Sequence, residues 1–322
     1  STLVDKGFAY VSEGDVYFRV AKSNNYAKLA NKTLEDLEIG ASGRTDAETE
    51  RKENPLDFAL WKAAKEGEVS WDSPWGPGRP GWHIECSVMA TEILGDTIDI
   101  HGGGADLEFP HHTNEIAQSE AKTGKTFANY WMHNGFVNVD NEKMSKSLGN
   151  FVTVHDMLQT VDGQVLRFFL ATQQYRKPIN FTEKAIHDAE VNLKYLKNTH
   201  SLPLTEQVNQ AELQTYLDAF QEAMDDDFNT ANGVTVLFDM AKWINSGNYD
   251  QTVKDAFEKM LQVFGIVFEE EVLDEDIEKL IEERQAARAN KDFATADRIR
   301  DELAAQGIKL LDTKEGVRWT RD

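Results

Sequence analysis

The spacing of hydrophobic residues changes from a period of two to a period near four along the chain. In the first part, short alternating runs such as Val16, Phe18 and Val20 predict strands. In the second part, apolar residues fall at helical spacing, for example at Leu213, Leu217, Phe220 and Met224. The pattern predicts an α/β half followed by an α-helical half.

The most informative local signals lie within the α/β half. A helix is predicted over 83–94 and ends at Gly95, and a short strand is predicted over 97–100. The three glycines at 102–104 predict a sharp turn, and a second helix is expected from Pro110 to about residue 122. Helix, strand, glycine turn and helix together make half of a parallel α/β sheet.

The rest of the chain is expected to be mostly helical. Thr153 is a predicted N-cap, because its hydroxyl can accept from the first free backbone N–H groups of a helix. Two further helices are predicted over 276–289 and 292–306, followed by Gly307 and a small hairpin over 310–320. No period of about 20–50 residues recurs, which argues against a solenoid or a propeller.

Composition narrows the class of protein. The 322 residues, 40% hydrophobic and 28% charged, suit a globular enzyme of two or three domains. The single cysteine, Cys86, excludes a disulfide framework. No apolar run approaches the roughly 20 residues of a membrane helix. The sequence therefore predicts a cytoplasmic enzyme without a membrane partner, and we expect a monomer.

The negative net charge of the chain argues against nonspecific electrostatic binding of nucleic acid, but it is compatible with a local basic surface that binds nucleic acid. The formal net charge is −22, yet residues 284–321 hold nine Lys or Arg against six Asp or Glu, a local balance of +3. A modestly basic patch on an acidic protein suits specific docking of a nucleic acid better than indiscriminate binding.

One constellation combines a thiol, an imidazole and a carboxylate. His111 and Glu115 are four residues apart and lie on one face of the second predicted helix, while Cys86 lies on the first. These side chains suit zinc, which takes S, N and O ligands. From spacing alone, the favoured alternative is that Cys86 is a small buried hydrophobe and the His–Glu pair a solvated contact. His112 is a second candidate ligand, although His111 is in helical register with Glu115.

A second constellation is the loop Lys-Met-Ser-Lys-Ser at 143–147, between a predicted strand and a predicted helix. Lys143 and Lys146 supply positive charge and the two serines supply hydrogen-bond donors, which together can grip a polyphosphate. Such a loop can stabilise the charge that develops on a pyrophosphate leaving group. On composition alone, the alternative is an ordinary solvated surface loop.

The loop at 143–147 resembles the second signature of class I aminoacyl-tRNA synthetases, which binds ATP during amino-acid activation. Other segments are similar to the cysteinyl-tRNA synthetase family, and the similarity extends through nearly the whole chain. They are Gly-Arg-Pro-Gly-Trp-His-Ile-Glu-Cys at 78–86, His-Gly-Gly-Gly with Asp at 101–106, Phe-Pro-His-His with Asn-Glu at 109–115, Trp-Met-His at 131–133, and Asp-Asp-Phe-Asn-Thr at 226–230.

The resemblance implies a fold and a division into domains. The fold is a partial class I Rossmann-type α/β catalytic domain, followed by an all-α bundle and a small C-terminal α+β anticodon-binding module. The implied divisions are 1–55 (remainder of an inserted connective domain), 56–150 (second half of the catalytic domain), 151–190 (stem-contact segment), 191–270 (helical bundle) and 271–322 (anticodon-binding module).

The resemblance also implies a set of functional residues. Cys86, His111 and Glu115 become ligands of one zinc ion per chain, whose open position takes the substrate thiol. ATP enters with Mg²⁺ as a substrate, together with L-cysteine and tRNA(Cys). The other implied roles are substrate binding at Trp82 and Asp106, ATP binding at Gly103, Gly104 and Lys146, catalysis at Lys143 and Lys146, and tRNA binding at Arg288, Asp297 and Asp312.

Two family features are missing from the sequence. None of the eight histidines begins a His-Ile-Gly-His signature, and there is no second cysteine to serve as the family's fourth zinc ligand. The sequence resembles the C-terminal two-thirds of such a ligase, and we expect it to be poorly active alone. The alternatives are a non-catalytic tRNA-binding paralogue and a ligase that couples cysteine to an amino sugar. A protein that only binds tRNA would not need the predicted zinc ligands or the lysine loop at 143–147. Ligases that use an amino sugar lack a tRNA-binding tail, whereas residues 276–322 of this sequence resemble one.

Overall fold

A computed structural model describes residues 1–23, 25–33, 49–145, 147–206, 208, 210–268, 275–313 and 316–321 of the chain. The chain forms two compact units, residues 1–266 and residues 267–322. Among the described helices, none has the length and apolar character needed to cross a membrane.

The first unit begins with a four-stranded antiparallel sheet in the order β1-β2-β3-β4. A short helix precedes it, and the elements are α1 (Thr2–Asp5), β1 (Ala9–Ser12), β2 (Asp15–Phe18), β3 (Phe58–Ala63) and β4 (Gly78–Pro80). Every residue of β2 is buried, and the Phe18 ring stacks on Phe58 with centroids 5.1 Å apart. Because β2 pairs with β3, this sheet crosses the predicted division at residue 55.

The parallel α/β part follows the sheet directly. Its elements are α2 (Trp82–Leu94), β5 (Ile98–Gly104), α3 (Thr113–Thr123) and β6 (Ala128–Asn134). Strands β5 and β6 pair in parallel, with Ile98 opposite Ala128 and Gly104 opposite Asn134. Gly95 ends α2 with a φ of 96°, as its missing Cβ allows. The predicted half of a parallel sheet is confirmed.

The predicted glycine turn is wrong, because Gly102, Gly103 and Gly104 continue β5 and pair with β6. Their lack of a side chain makes room for neighbours instead. A Cβ on Gly103 would lie 3.0 Å from His112 Cε1, and one on Gly104 would lie 2.5 Å from Asp106 Oδ1. The second helix also begins later than predicted, since a π-helical segment, Glu108–His112, which is kinked by the extended backbone of Phe109, precedes α3.

A small three-stranded sheet in the order β8-β7-β9 carries the lysine loop. Its strands are β7 (Val137–Val139), β8 (Glu142–Lys143) and β9 (Ile179–Phe181). Between β8 and β9 lie the helices α4 (Val154–Met157) and α5 (Gly163–Ala171). Thr153 is the N-cap of α4 as predicted, because its hydroxyl accepts from the backbone N–H of Asp156 at 3.1 Å.

Four longer helices complete the first unit. They are α6 (Glu183–His200), α7 (Gln210–Asp225), α8 (Thr230–Asn245) and α9 (Gln251–Val263). Their apolar stripes pack together, and Leu237, Met240 and Phe257 are fully buried at the centre. The α/β half is therefore followed by a helical half, as the hydrophobic pattern predicts.

The second unit is a small α+β module. It contains α10 (Glu275–Ala289), α11 (Phe293–Ala305), β10 (Ile308–Thr313) and β11 (Gly316–Arg321). The two strands form the predicted antiparallel hairpin after Gly307, which has a φ of 78°. Its core consists of Ile277, Ile299, Leu303 and Ile308, with Trp319 packed against them.

Candidate metal centre and substrate cleft

The structure brings the three predicted zinc ligands together. Cys86 lies in the second turn of α2, His111 in the π-helical segment and Glu115 in the first turn of α3. One ligand atom from each of them lies within 4.8 Å of the other two. His111 is 4% exposed and Glu115 is fully buried, while Cys86 is half-buried. A thiol, an imidazole and a carboxylate thus converge in a site largely shielded from water.

The Glu115 carboxylate is the least solvated group of this site. Its Oε2 lies 2.8 Å from Nε2 of His101, within hydrogen-bond distance. Its Oε1 lies 2.8 Å from Nε2 of His111, but the two are not oriented as a hydrogen bond, and Oε1 has no hydrogen-bond partner among the described residues. A buried carboxylate oxygen without a partner is costly, and a bound cation would satisfy it.

Glu115 also belongs to a second group of three side chains that could hold a metal ion. It consists of His101, His112 and Glu115, and its ligand atoms meet the same 4.8 Å distance. The neighbouring histidines therefore divide between the two groups, since His111 joins Cys86 whereas His112 joins His101. Nδ1 of His112 lies 2.8 Å from Nε2 of His133. Only the first group contains the soft sulfur donor that favours zinc over harder cations.

The histidines at 83, 101 and 133 receive no role in the sequence analysis, yet all three line this site. His83 and His111 approach each other at 2.8 Å through their Nδ1 atoms. His101 and His133 come from β5 and β6 and are brought to one end of the site by parallel pairing. The signal that could have found them is their position on two neighbouring strands of a parallel sheet, which carry ligand sites at their carboxyl ends.

Burial determines the protonation of these groups. It lowers the pKa of His83 to about 4 and the pKa of His112 to about 3, and it also lowers the pKa of His111. These imidazoles are therefore neutral near pH 7, so a ring nitrogen keeps a free lone pair. Burial raises the pKa of the Cys86 thiol, and the Glu115 carboxylate raises it further. A cation beside Cys86 would oppose both effects.

Of the predicted substrate residues, Trp82 contacts the cluster and Asp106 follows the strand that leads to it. Trp82 is 62% exposed, and its ring centroid lies 4.5 Å from that of His111. Asp106 is exposed and follows the carboxyl end of β5. Gly103 and Gly104 lie at this end, and their missing Cβ atoms leave room for the His112 ring and the Asp106 carboxylate. Trp82 therefore lies against His111, whereas Gly103, Gly104 and Asp106 lie at or just beyond the end of the strand that carries His101.

The lysine loop is closed by hydrogen bonds around Asn150. The backbone N–H of Ser145 donates to Asn150 Oδ1 at 2.8 Å, and Asn150 Nδ2 donates to the carbonyl of Lys143 at 3.2 Å. The ammonium of Lys143 is exposed and lies 4.0 Å from the centre of the Phe136 ring. Lys146 lies outside the described residues.

In the second unit, the structure pairs two of the predicted tRNA-binding residues with each other. Arg284 donates two hydrogen bonds of 2.9 Å to Asp312, and Arg288 forms an ion pair with the same carboxylate. Arg284 is 5% exposed and has no assigned role in the sequence analysis. Asp297 is exposed and pairs with Arg300 at 3.1 Å. Asp312 therefore anchors β10 to α10, whereas Asp297 faces solvent.

Replacing Asp312 by asparagine is expected to lower the stability of the second unit by about 1–3 kcal/mol, because Arg284 would remain buried without its anion. The matched control Asp297→Asn removes an exposed ion pair and should change stability by less than about 0.5 kcal/mol. Hydrogen exchange of the α10 amides in the intact chain measures both. Equal protection in the two variants would contradict the anchoring role.

The ion pair between Arg284 and Asp312 predicts that the second unit loses stability at acidic pH. Arg284, and then Arg288, lower the pKa of Asp312 below its usual value. A lowered folded-state pKa adds stability above the unfolded-state value near 3.9, and this contribution is lost as the pH falls through the folded-state pKa. Protection of the α10 amides should therefore decrease below about pH 4 in the unmodified chain. It should decrease less in Asp312→Asn.

Comparison with known families matches the chain in three consecutive parts. The family described as tRNA synthetases class I (C) catalytic domain matches residues 1–191. The DALR domain family matches residues 219–269. The family described as the cysteinyl-tRNA ligase anticodon binding domain matches residues 270–319.

Two relatives found by sequence agree with these matches. A cysteine–tRNA ligase of Streptococcus thermophilus (strain CNRZ 1066) is 95% identical over all 322 residues, which cover 72% of that protein. One from Streptococcus agalactiae serotype III (strain NEM316) is 82% identical over 99% of the chain, again covering 72% of its length. Methionyl-tRNA synthetase of Mycobacterium tuberculosis overlays with a TM-score of 0.48 at 16% identity, over 78% of this chain and 57% of that one.

The catalytic-domain family covers more than half of the chain, and the streptococcal relatives match it at high identity over its full length. By these measures the chain belongs to the cysteine–tRNA ligase family of class I tRNA synthetases.

Proposed function

We propose that the chain is part of a cysteine–tRNA ligase, the enzyme that activates L-cysteine with ATP and transfers it to tRNA(Cys), and that it supplies the metal cluster, the lysine loop and the anticodon-binding module for this reaction. The observation that carries the proposal is the convergence of Cys86, His111 and Glu115 inside a class I synthetase catalytic domain. The anticodon-binding family at residues 270–319 supports tRNA as the acceptor.

The metal in this proposal is zinc, one ion per chain. Thiolate, imidazole and carboxylate are ligand types that zinc takes, and the Glu115 oxygen without a hydrogen-bond partner supports a cation at this place. When bound, zinc supplies an open coordination position that prefers the soft thiolate of cysteine to the hydroxyl of serine. This preference would select cysteine without a separate editing site.

The protein residues around the metal hold and shield it. Burial keeps His111 neutral near pH 7, so this ring is ready to act as a ligand. The exposed Trp82 ring next to His111 is positioned to cover the substrate side chain and to exclude water. Asp106, at the carboxyl end of β5, is the proposed partner of the substrate amine.

The activation step joins the cysteine carboxylate to ATP, which enters with Mg²⁺. A carboxylate oxygen bonds to the α-phosphorus while the bond to the bridging oxygen breaks, and pyrophosphate leaves. Lys143 and Lys146 are proposed to stabilise the negative charge on the leaving group. Gly103 and Gly104 are proposed to contact ATP through their backbone at the end of β5. A terminal ribose hydroxyl of tRNA then displaces AMP and takes the cysteinyl group.

The second unit is proposed to read the anticodon. Arginine can donate to a guanine edge and aspartate can accept from a cytosine amino group, which assigns such roles to Arg288, Asp297 and Asp312. Phe293 is 63% exposed and available for stacking on a base, whereas Trp319 packs into the core of the module. The proposed location is the cytoplasm, since the single cysteine gives no disulfide framework.

The competing functions are less well supported. The anticodon-binding family at 270–319 disfavours a ligase that uses an amino sugar as acceptor. The buried group of Cys86, His111 and Glu115 disfavours a protein that only binds tRNA, because binding alone does not require a converging ligand set.

Binding of tRNA tests the acceptor part of the proposal. The chain is expected to bind a tRNA(Cys) transcript at least about tenfold more tightly than the same transcript with an altered anticodon, because each correct base contact contributes about 1–3 kcal/mol. Both affinities should be measured at one fixed salt concentration. Equal affinities for the two transcripts would overturn anticodon reading by this chain.

A further inference from the structure

Two buried polar side chains connect the helices that carry the metal cluster. Ser87 follows Cys86 on α2, and Gln118 lies one turn beyond Glu115 on α3. Ser87 is 4% exposed and Gln118 is 1% exposed. Neither side chain belongs to the cluster itself, and neither has a role in the proposed chemistry.

The contacts of Ser87 span the two helices. Gln118 Nε2 donates to Ser87 Oγ at 2.9 Å. The Ser87 hydroxyl in turn donates to the backbone carbonyl of Glu115 at 3.4 Å. One hydroxyl next to Cys86 thus touches both the backbone of Glu115 and a side chain on the same face of α3.

Directional contacts of this kind fix the relative position of two helices. Apolar side chains that pack between helices tolerate small shifts along the helix axis, but a buried hydrogen bond loses energy steeply when its distance or angle changes. A shift of α2 along α3 would separate Ser87 from Gln118 and would also leave polar atoms buried without partners. The same shift would move Cys86 relative to Glu115, because each lies next to the contact.

We propose that Ser87 and Gln118 are positioning residues that hold Cys86 and Glu115 at the separation needed by one metal ion. The inference rests on the zinc site of the proposed function. Residues that orient metal ligands without touching the metal commonly change its affinity by about 10–100-fold when they are replaced.

The test compares three variants of the whole chain, namely Ser87→Ala, Gln118→Met and the double variant. Zinc affinity is measured by competition with a chromophoric chelator, and Co²⁺ absorption reports the geometry of the thiolate-containing site. Each single variant is expected to bind zinc about 10–100-fold more weakly and to shift the Co²⁺ bands. The double variant should be no weaker than the weaker single variant, since both remove one shared contact.

A matched control removes a similar hydrogen bond among the later helices, outside the elements that carry the metal cluster. Tyr249 is 1% exposed, and its hydroxyl donates to the carbonyl of His200 at 2.8 Å. Tyr249→Phe should lower stability without changing zinc affinity or the Co²⁺ spectrum. This comparison separates a positioning effect from a general loss of stability.

The outcomes distinguish the inference from the zinc site on which it rests. If the unmodified chain binds zinc and both single variants bind it with equal affinity and unchanged Co²⁺ bands, the positioning role is overturned. If one single variant does not fold, the other gives the result. Absence of zinc binding by the unmodified chain would overturn the metal site and the positioning role together.

Discussion

Exchange of Cys86 for serine is expected to weaken zinc binding by the chain at least about 100-fold. A hydroxyl is a poor substitute for thiolate as a zinc ligand, and loss of a ligand costs more than the 10–100-fold typical of residues around the ligands. Glu115→Gln should have a comparable effect, because it replaces a buried anionic ligand with a neutral amide. Chelator competition at fixed pH measures both variants, since zinc affinity depends on deprotonation of its ligands.

The matched control for Glu115→Gln is Glu92→Gln on α2. Glu92 is exposed and lies 3.6 Å from the Lys122 ammonium, so its neutralisation changes the charge of the chain equally without touching the cluster. We expect its zinc affinity to match that of the unmodified chain. If Cys86→Ser and Glu115→Gln bind zinc as tightly as Glu92→Gln does, these residues are not ligands.

The second prediction with a large expected effect concerns the preference of the zinc-loaded chain for cysteine over serine. The zinc-loaded chain is expected to bind L-cysteine at least about 10³-fold more tightly than L-serine. A size difference alone provides only about 10–200-fold discrimination, whereas loss of a required polar or ligand contact provides about 10⁴-fold or more. Calorimetric titration with each amino acid, before and after removal of zinc, measures the preference. A preference that survives removal of zinc would contradict the proposal.

Trp82→Ala provides an internal comparison for the same titrations. The Trp82 ring lies against His111 and is largely exposed, so its removal should weaken cysteine binding while zinc affinity stays unchanged. We expect a loss of about tenfold, in the range given by truncating a partly exposed aromatic contact. Unchanged cysteine affinity would mean that Trp82 does not cover the substrate.

Local sequence patterns predict the helices well, because the features that specify them lie within a few residues. The end of the helix predicted over 83–94 follows from Gly95, which takes the positive φ that a residue with a Cβ rarely adopts. The register of His111 with Glu115 is similarly local. Together with the family resemblance, it predicts the group of Cys86, His111 and Glu115 that the structure brings together.

The features that local patterns do not predict depend on pairing between distant residues. Gly102 is read as a turn from its composition, but its pairing with Met132 makes it part of a strand. His101 and His133 reach the metal cluster through the same parallel pairing. The Arg284–Asp312 ion pair joins residues 28 positions apart, which spacing within one helix does not reveal.

X-ray absorption at the zinc edge tests the central claim most directly. The Cys86, His111 and Glu115 site predicts one sulfur neighbour at about 2.3 Å and nitrogen or oxygen neighbours at about 2.0–2.1 Å. Addition of L-cysteine should raise the sulfur count from one to two. A zinc shell of nitrogen and oxygen alone, unchanged by cysteine, would place the metal on His101, His112 and Glu115 and would contradict the proposed site.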